Sequence, residues 1–128
     1  MTIKDLKPTE LWNYFYEITQ IPRASKKEEK ILAYLLDFAK KHNLEAKQDK
    51  AGNILITKEA TKGKENIPTI ILQSHVDMVC EKNADVEHNF DTDPIETVIE
   101  GDWLKAKGTT LGADNGIAVA FILSILED

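Results

Sequence analysis

The chain has 128 residues, of which 42% are hydrophobic and 30% are charged. This composition is typical of a folded globular protein and excludes an intrinsically disordered chain. No apolar run is long enough to span a membrane, and the polar segment 1–5 lacks the apolar core of a signal peptide, so we expect no membrane partner. The single cysteine, Cys80, excludes an internal disulfide and fits a reducing compartment, so the sequence predicts a cytoplasmic protein.

The net charge of −6 is unevenly distributed along the chain. Residues 1–64 carry 13 Lys or Arg and 9 Asp or Glu, whereas residues 65–128 carry 3 and 13. The acidic second half would repel phosphate groups, so we expect no nucleic-acid partner. Carboxylates grouped around a histidine are, by contrast, ligands that suit divalent cations.

Two amphipathic helices are predicted near the N-terminus. Apolar residues recur at helical spacing over 9–20, and Pro22 ends this helix because the residue before a proline avoids the α conformation. Ser25 and Glu28 have the spacing of a capping box, which predicts the start of a second helix. Asn43 follows that helix as a candidate left-handed cap.

Extended segments follow the two helices. Residues 44–48 and 54–57 predict one hairpin, and residues 95–99 and 103–106 predict another. Between them, the uninterrupted apolar run at 69–72 predicts an inner strand. In the second hairpin, we expect Trp103 to pack in the core.

The last predicted element is a helix over 115–126 that is apolar on every side, so we expect other elements to enclose it. Helices alternating with strands predict an α/β fold in which helices pack on a mixed β-sheet. Ligands in such sheets bind at the carboxyl ends of strands, and His75 and Asp77 directly follow the run at 69–72.

Three side chains are candidates for a metal site. His75 and Asp77 are two residues apart, so on an extended chain they point the same way. A metal-bound histidine usually donates its second N–H to a carboxylate, and Asp77 could accept it. Asp114 lies in a glycine-flanked turn before the last helix. The residues alone leave two interpretations open, because His75 and Asp77 also suit a structural pair and Asp114 also suits a helix N-cap.

Longer tracts around these residues resemble a known family. Residues 74–83 (SHVDMVCEKN) and 101–117 (GDWLKAKGTTLGADNGI), with the opening segment 21–25 (IPRAS), are similar to the M20 dimetal peptidases, and to their aminoacyl-histidine dipeptidase (peptidase D) branch in particular. The resemblance implies that His75 binds one metal ion, that Asp114 bridges two, and that Asp77 serves the catalytic machinery by orienting the His75 ring. It implies two divalent ions, zinc with cobalt or manganese as alternatives.

The resemblance also implies a function and a domain organisation. It implies hydrolysis of dipeptides, either of the Xaa-His type or of broad specificity, by a homodimeric enzyme. Because family members are several times longer, it implies that residues 1–128 are the N-terminal portion of a zinc-peptidase-like catalytic domain, without the lid or dimerisation domain. The general base and the remaining ligands are then missing, and we expect the 128-residue chain itself to be inactive. The alternative is a truncated non-enzymatic fold or a metal-binding module.

Overall fold

Helices and two small β-hairpins make up the computed structural model, which describes residues 1–128. A short 3-10 helix, Ile3–Asp5, precedes α1, and the hairpins β1–β2 and β3–β4 lie between α2 and α3. The elements are α1 (Thr9–Thr19), α2 (Glu29–Lys41), β1 (Glu45–Gln48), β2 (Ile54–Thr57), β3 (Thr97–Glu100), β4 (Trp103–Ala106) and α3 (Ala113–Glu127). The predicted α/β class is confirmed, but the strands form two separate antiparallel pairs instead of the predicted mixed sheet.

The hydrophobic core lies between the three helices. α1 packs against α3, and α2 contacts α1 through an edge-on aromatic pair, Tyr14 and Phe38, whose ring centroids are 5.6 Å apart. The buried core residues come from all three helices and from the N-terminal turn: Ile3, Phe15, Ile18, Ile31, Leu35, Phe38, Val119, Ala120 and Leu123. The helical periodicity of the sequence therefore identified the core faces of α1 and α2, but not the face of α3 that is buried.

The predicted helices and hairpins are present with small shifts of their ends. α2 ends at Lys41, and Asn43 has a positive φ of 55°, so the left-handed residue after the helix is where it was predicted. In the first hairpin Glu45 lies opposite Thr57, and in the second Thr97 lies opposite Ala106.

The predicted inner strand at 69–72 is wrong. These residues have no regular secondary structure, and Ile70 and Ile71 are 79% and 84% exposed. An inner strand needs a partner on each side for its backbone hydrogen bonds. None of the four strands pairs with this segment, so its backbone lacks the ladder hydrogen bonds that an inner strand requires.

Two other expectations about burial also differ from the structure. Trp103 is 72% exposed, because strand alternation turns Leu104 towards the core and Trp103 towards solvent. α3 is buried only along the face that packs on α1, and Phe121 on its opposite side is 53% exposed. None of the helices has the length and apolar character needed to cross a lipid bilayer.

The first turn of α3 is irregular. Gly112 precedes the helix with a φ of 79°, and Asp114 and Asn115 have non-helical backbone angles. The peptide bond between these last two residues is cis. Regular helical geometry therefore begins at Gly116, and Asp114 lies in the turn that leads into the helix.

Burial predicts opposite outcomes for two isoleucines. Ile31 is 0% exposed and Ile71 is 84% exposed. In the 128-residue chain, Ile31→Ala should lower the free energy of unfolding by about 2–5 kcal/mol, because it leaves a cavity in the core. Ile71→Ala should change it by less than about 0.5 kcal/mol. Urea unfolding of both variants measures these changes. Equal losses of unfolding free energy would contradict the described core.

Candidate metal centre

The structure brings His75, Asp77 and Asp114 together. The Nδ1 atom of His75 lies 3.0 Å from Oδ1 of Asp77, and its Nε2 atom lies 2.9 Å from Oδ1 of Asp114. Asp77 is close because of its position in the sequence, whereas Asp114 is 39 residues away from His75 and is brought there by the fold. The imidazole therefore lies between two carboxylates.

This placement affects the protonation of the imidazole. A carboxylate has no proton to donate, so the two contacts of the ring are both satisfied when His75 is protonated. The hydrogen bond with Asp114 is the main cause that raises the pKa of His75 above its ordinary value, and Asp77 adds to it. A hydrogen bond from Ser25 and the contact with His75 lower the pKa of Asp77. The two carboxylates therefore favour the protonated form of the imidazole.

A divalent cation is compatible with the same donor atoms. If Nδ1–H of a neutral His75 is donated to Asp77, the Nε2 lone pair faces Asp114, which is the usual arrangement of a zinc-bound histidine. Bonds of about 2.0–2.2 Å to a tetrahedral zinc ion place two donor atoms about 3.4 Å apart. The Nε2 and Oδ1 atoms, now 2.9 Å apart, would need to separate by about 0.5 Å.

The donor set in this chain is partial. No group of three or more His, Cys, Asp or Glu side chains is arranged to hold a metal ion. The Asp114 side chain is 94% exposed and that of His75 is 52% exposed, so further ligands could reach both from solvent. The chain thus provides one imidazole and one carboxylate, with a second carboxylate behind the imidazole.

The alternative role of Asp114 as a helix cap has no contact to support it. Its carboxylate accepts no hydrogen bond from a backbone N–H of α3, and Gly112 is the residue at the N-cap position. The contact that the side chain makes is with His75. A structural role for the His75–Asp77 pair is compatible with the geometry, because their contact would be the same in either case.

Sequence reasoning gave Ser25 the wrong role. It was predicted to cap α2, but that helix begins after Glu28 without a side-chain cap. The Oγ atom of Ser25 instead donates to Oδ2 of Asp77 at 2.5 Å. Lys26 has a φ of 70°, which turns the chain between Ser25 and the helix, and a parallel bridge between Ala24 and Met78 places Ser25 beside Asp77. Ser25 therefore anchors the carboxylate that contacts His75.

Arg23 is a second residue that sequence reasoning missed. Its side chain is buried, and its Nη1 and Nη2 atoms donate to the carbonyl oxygens of Val76 and Gly112 at 2.9 and 2.6 Å. The only signal was its place in the tract 21–25, to which no role had been given. The guanidinium lies behind the site and contacts both segments that carry the candidate ligands.

The two long tracts of the sequence are also paired directly. The backbone N–H of Asn83 donates to the carbonyl of Gly108 at 2.8 Å, and that of Thr110 donates to the carbonyl of Glu81 at 2.9 Å. The Thr110 hydroxyl adds a bond of 2.8 Å to the carbonyl of Val79. Residues 79–83 and 108–110 thus form a short antiparallel contact that brings the candidate ligands into the same region.

The chain is similar to known dipeptidases in sequence and in fold. Over 98% of its length the chain is 47% identical to the cytosol non-specific dipeptidase of Escherichia coli (strain K12). The crystal structure of aminoacylhistidine dipeptidase from Vibrio alginolyticus matches all of the chain with a TM-score of 0.97 and 44% identity. The chain has the fold of part of an M20 peptidase domain. The predicted resemblance to the dipeptidases is confirmed.

The chain corresponds to only part of each of these relatives. The chain spans 26% of the length of each of these two dipeptidases. A tripeptidase from Staphylococcus aureus matches 92% of the chain, and 31% of its own length, with a TM-score of 0.74 and 24% identity, which shows a shared fold. No protein-family model matches the chain. The roles of His75, Asp77 and Asp114, and the assignment of residues 1–128 to one catalytic domain, stay predictions.

Gly112 and Gly63 provide a matched test of the packing behind the site. Both have a positive φ, of 79° and 86°. A Cβ atom on Gly112 would lie 2.5 Å from Nη2 of Arg23 and 2.8 Å from Sδ of Met78, whereas one on Gly63 would meet nothing within 4 Å. Gly63→Ala should therefore lower the free energy of unfolding by about 1–2 kcal/mol, which is the penalty for an alanine in a left-handed backbone conformation. Gly112→Ala should lower it by about 1–3 kcal/mol more. The added Cβ would clash with Arg23, which cannot move aside easily because its hydrogen bonds hold it in place.

Urea unfolding of the 128-residue chain measures both costs. Equal destabilisation by the two substitutions would show that Arg23 and Met78 move aside without penalty, and the described packing behind the site would then be incorrect.

Proposed function

We propose that the full-length protein containing this chain is a metal-dependent dipeptidase, in which His75 and Asp114 bind divalent ions and Asp77 orients His75. The observation that carries the proposal is the alignment of Asp77, His75 and Asp114 through contacts of 3.0 and 2.9 Å. Support comes from the fold in which they lie, which is that of an aminoacylhistidine dipeptidase at 44% identity.

The proposed cofactor is a pair of divalent ions. Imidazole nitrogen and carboxylate oxygen suit zinc, and also cobalt or manganese. Such a pair supplies an acidified water molecule as the nucleophile and polarises the carbonyl group of the peptide bond. His75 would bind one ion and Asp114 would contribute to both, since a carboxylate has two oxygen atoms and only Oδ1 of Asp114 contacts His75.

The other residues of the site act on these ligands. Asp77 holds the proton of His75 at Nδ1 and thereby fixes the tautomer in which Nε2 is free to bind a cation. The hydrogen bond from Ser25 to Oδ2 of Asp77 keeps the other oxygen of that carboxylate directed at His75. The negative charge of Asp77 also increases the basicity of the imidazole.

The proposed substrate is a dipeptide, either Xaa-His or of broader sequence. One relative is named a non-specific dipeptidase and the other an aminoacylhistidine dipeptidase, so both specificities are compatible with this site. A cytosolic location is proposed from the name of the Escherichia coli relative and from the single cysteine. Homodimerisation of the full-length protein is part of the same proposal.

Substitution of each carboxylate by its amide tests the assignment. In the full-length protein Asp114→Asn should remove metal and reduce dipeptide turnover more than Asp77→Asn does, because Asp114 contacts the ions directly. Asp77→Asn acts through His75 and should cost about 10–100-fold in metal affinity or activity. Asp85→Asn, in an exposed loop, is the matched control and should change neither.

Metal content by mass spectrometry and turnover of an Xaa-His dipeptide provide the measurements. An Asp114→Asn protein that keeps two metal ions and near-normal turnover would refute the ligand assignment. Since Asp114 makes no capping contact, the same result would leave its contact with His75 as a structural one.

The isolated 128-residue chain should hydrolyse no dipeptide with added zinc, cobalt or manganese. It contributes two candidate ligands and no third, so water must fill the other positions and any metal should be weakly bound. Turnover by the full-length protein in the same assay is the positive control. Turnover by the chain above a metal-only blank, abolished by His75→Ala, would contradict this expectation and support a self-sufficient site.

A further inference from the structure

The Arg23 side chain is the most deeply buried charge of the molecule. It is 2% exposed and has no carboxylate within ion-pair distance, since it takes part in none of the ion pairs of the chain. Burying a cation without a paired anion is costly unless its donors are well satisfied. Desolvation accordingly lowers the pKa of Arg23, and the nearby charge of Asp77 opposes that effect.

The two terminal nitrogen atoms of the guanidinium donate to backbone carbonyls of the two ligand segments. Nη1 donates to Val76, the residue between His75 and Asp77, at 2.9 Å. Nη2 donates to Gly112, two residues before Asp114, at 2.6 Å. A guanidinium is a rigid planar fork, so the separation of its two nitrogen atoms fixes the separation of the two carbonyls.

Two glycines of the second tract make room for this group. A Cβ atom on Gly112 would lie 2.5 Å from Nη2 of Arg23, and one on Gly116 would lie 2.6 Å from the same atom. The turn that carries Asp114 therefore has glycine on both sides because the guanidinium lies against its backbone. The local sequence around Asp114 and the buried arginine form one unit.

The other contacts between the segments do not hold the ligands in the same way. The pairing of residues 79–83 with 108–110 brings the tracts together, but it lies several residues away from His75 and Asp114. The contact between Nε2 of His75 and Asp114 uses the atoms that would bind a cation. The hydrogen bonds of Arg23 use backbone carbonyls only, so they are compatible with metal binding by the side chains.

We propose that Arg23 is a positioning residue for the metal centre, an inference that rests on the proposed function. Its guanidinium fixes the distance between the segment that carries His75 and Asp77 and the turn that carries Asp114. It touches neither substrate nor metal and acts through the two carbonyl groups that it binds.

Two substitutions in the full-length protein test the proposal. Arg23→Lys keeps the charge but cannot bridge both carbonyls with a rigid fork, and Arg23→Met removes the charge and keeps much of the apolar stem. Both should weaken zinc binding by about 10–100-fold, the usual effect of losing a group that orients a ligand. Ile31→Val is the control, because it perturbs the core at α2 away from the site and should leave zinc affinity unchanged.

Zinc affinity is measured by competition with a chelator, and hydrogen–deuterium exchange provides a second measurement that needs no metal. Exchange should become faster in peptides covering residues 74–80 and 110–118 of the metal-free Arg23→Lys protein, with α2 unchanged. Normal zinc affinity together with unchanged exchange in both peptides would overturn the proposal. A parent protein that binds none of zinc, cobalt and manganese would refute the proposed function instead, and the exchange of the two peptides would still decide whether Arg23 positions the segments.

Discussion

A buried guanidinium with backbone acceptors is the interaction on which the organisation of this chain depends. Arg23 can remain in the interior only if its donors find oxygen atoms, and the chain provides them from two segments far apart in sequence. The hydrogen bonds of this one guanidinium therefore determine how closely the loop after residue 72 approaches the turn that precedes α3. The hydrophobic core positions α3, and the arginine sets the position of the turn at its N-terminus.

The site around His75 uses the same atoms for a protonated imidazole and for the proposed metal ion. In the structure the imidazole is bracketed by Asp77 and Asp114, which favours its protonated form. A proton on Nε2 and a metal ion at the same point are alternatives, since each balances the charge of Asp114. Metal binding at this position is therefore expected to release protons, and Asp77 remains the partner of Nδ1 in both states.

The sequence predicted much of the fold and part of the site, for reasons that differ between residues. The helices and hairpins follow from local periodicity, and His75 with Asp77 follows from alternation along an extended chain. Asp114 was identified from its tract, but its contact with His75 depends on tertiary structure. Arg23 was missed because its partners are backbone carbonyls, which carry no sequence signal. Ser25 was misassigned because its capping spacing is local, whereas its actual partner, Asp77, is distant.

The packing of α1 against α3 has a kinetic consequence. Residues 20–112 separate the two helices, so their contact is highly non-local and requires a large loop to close. At a synthesis rate of about 5–20 residues per second, roughly 5–20 s pass between the appearance of the two helices on the ribosome. During that interval the apolar face of α1, including Phe15 and Ile18, lacks the helix that later covers it. Until α3 is synthesised, this face of α1 is therefore open to chaperones and to aggregation.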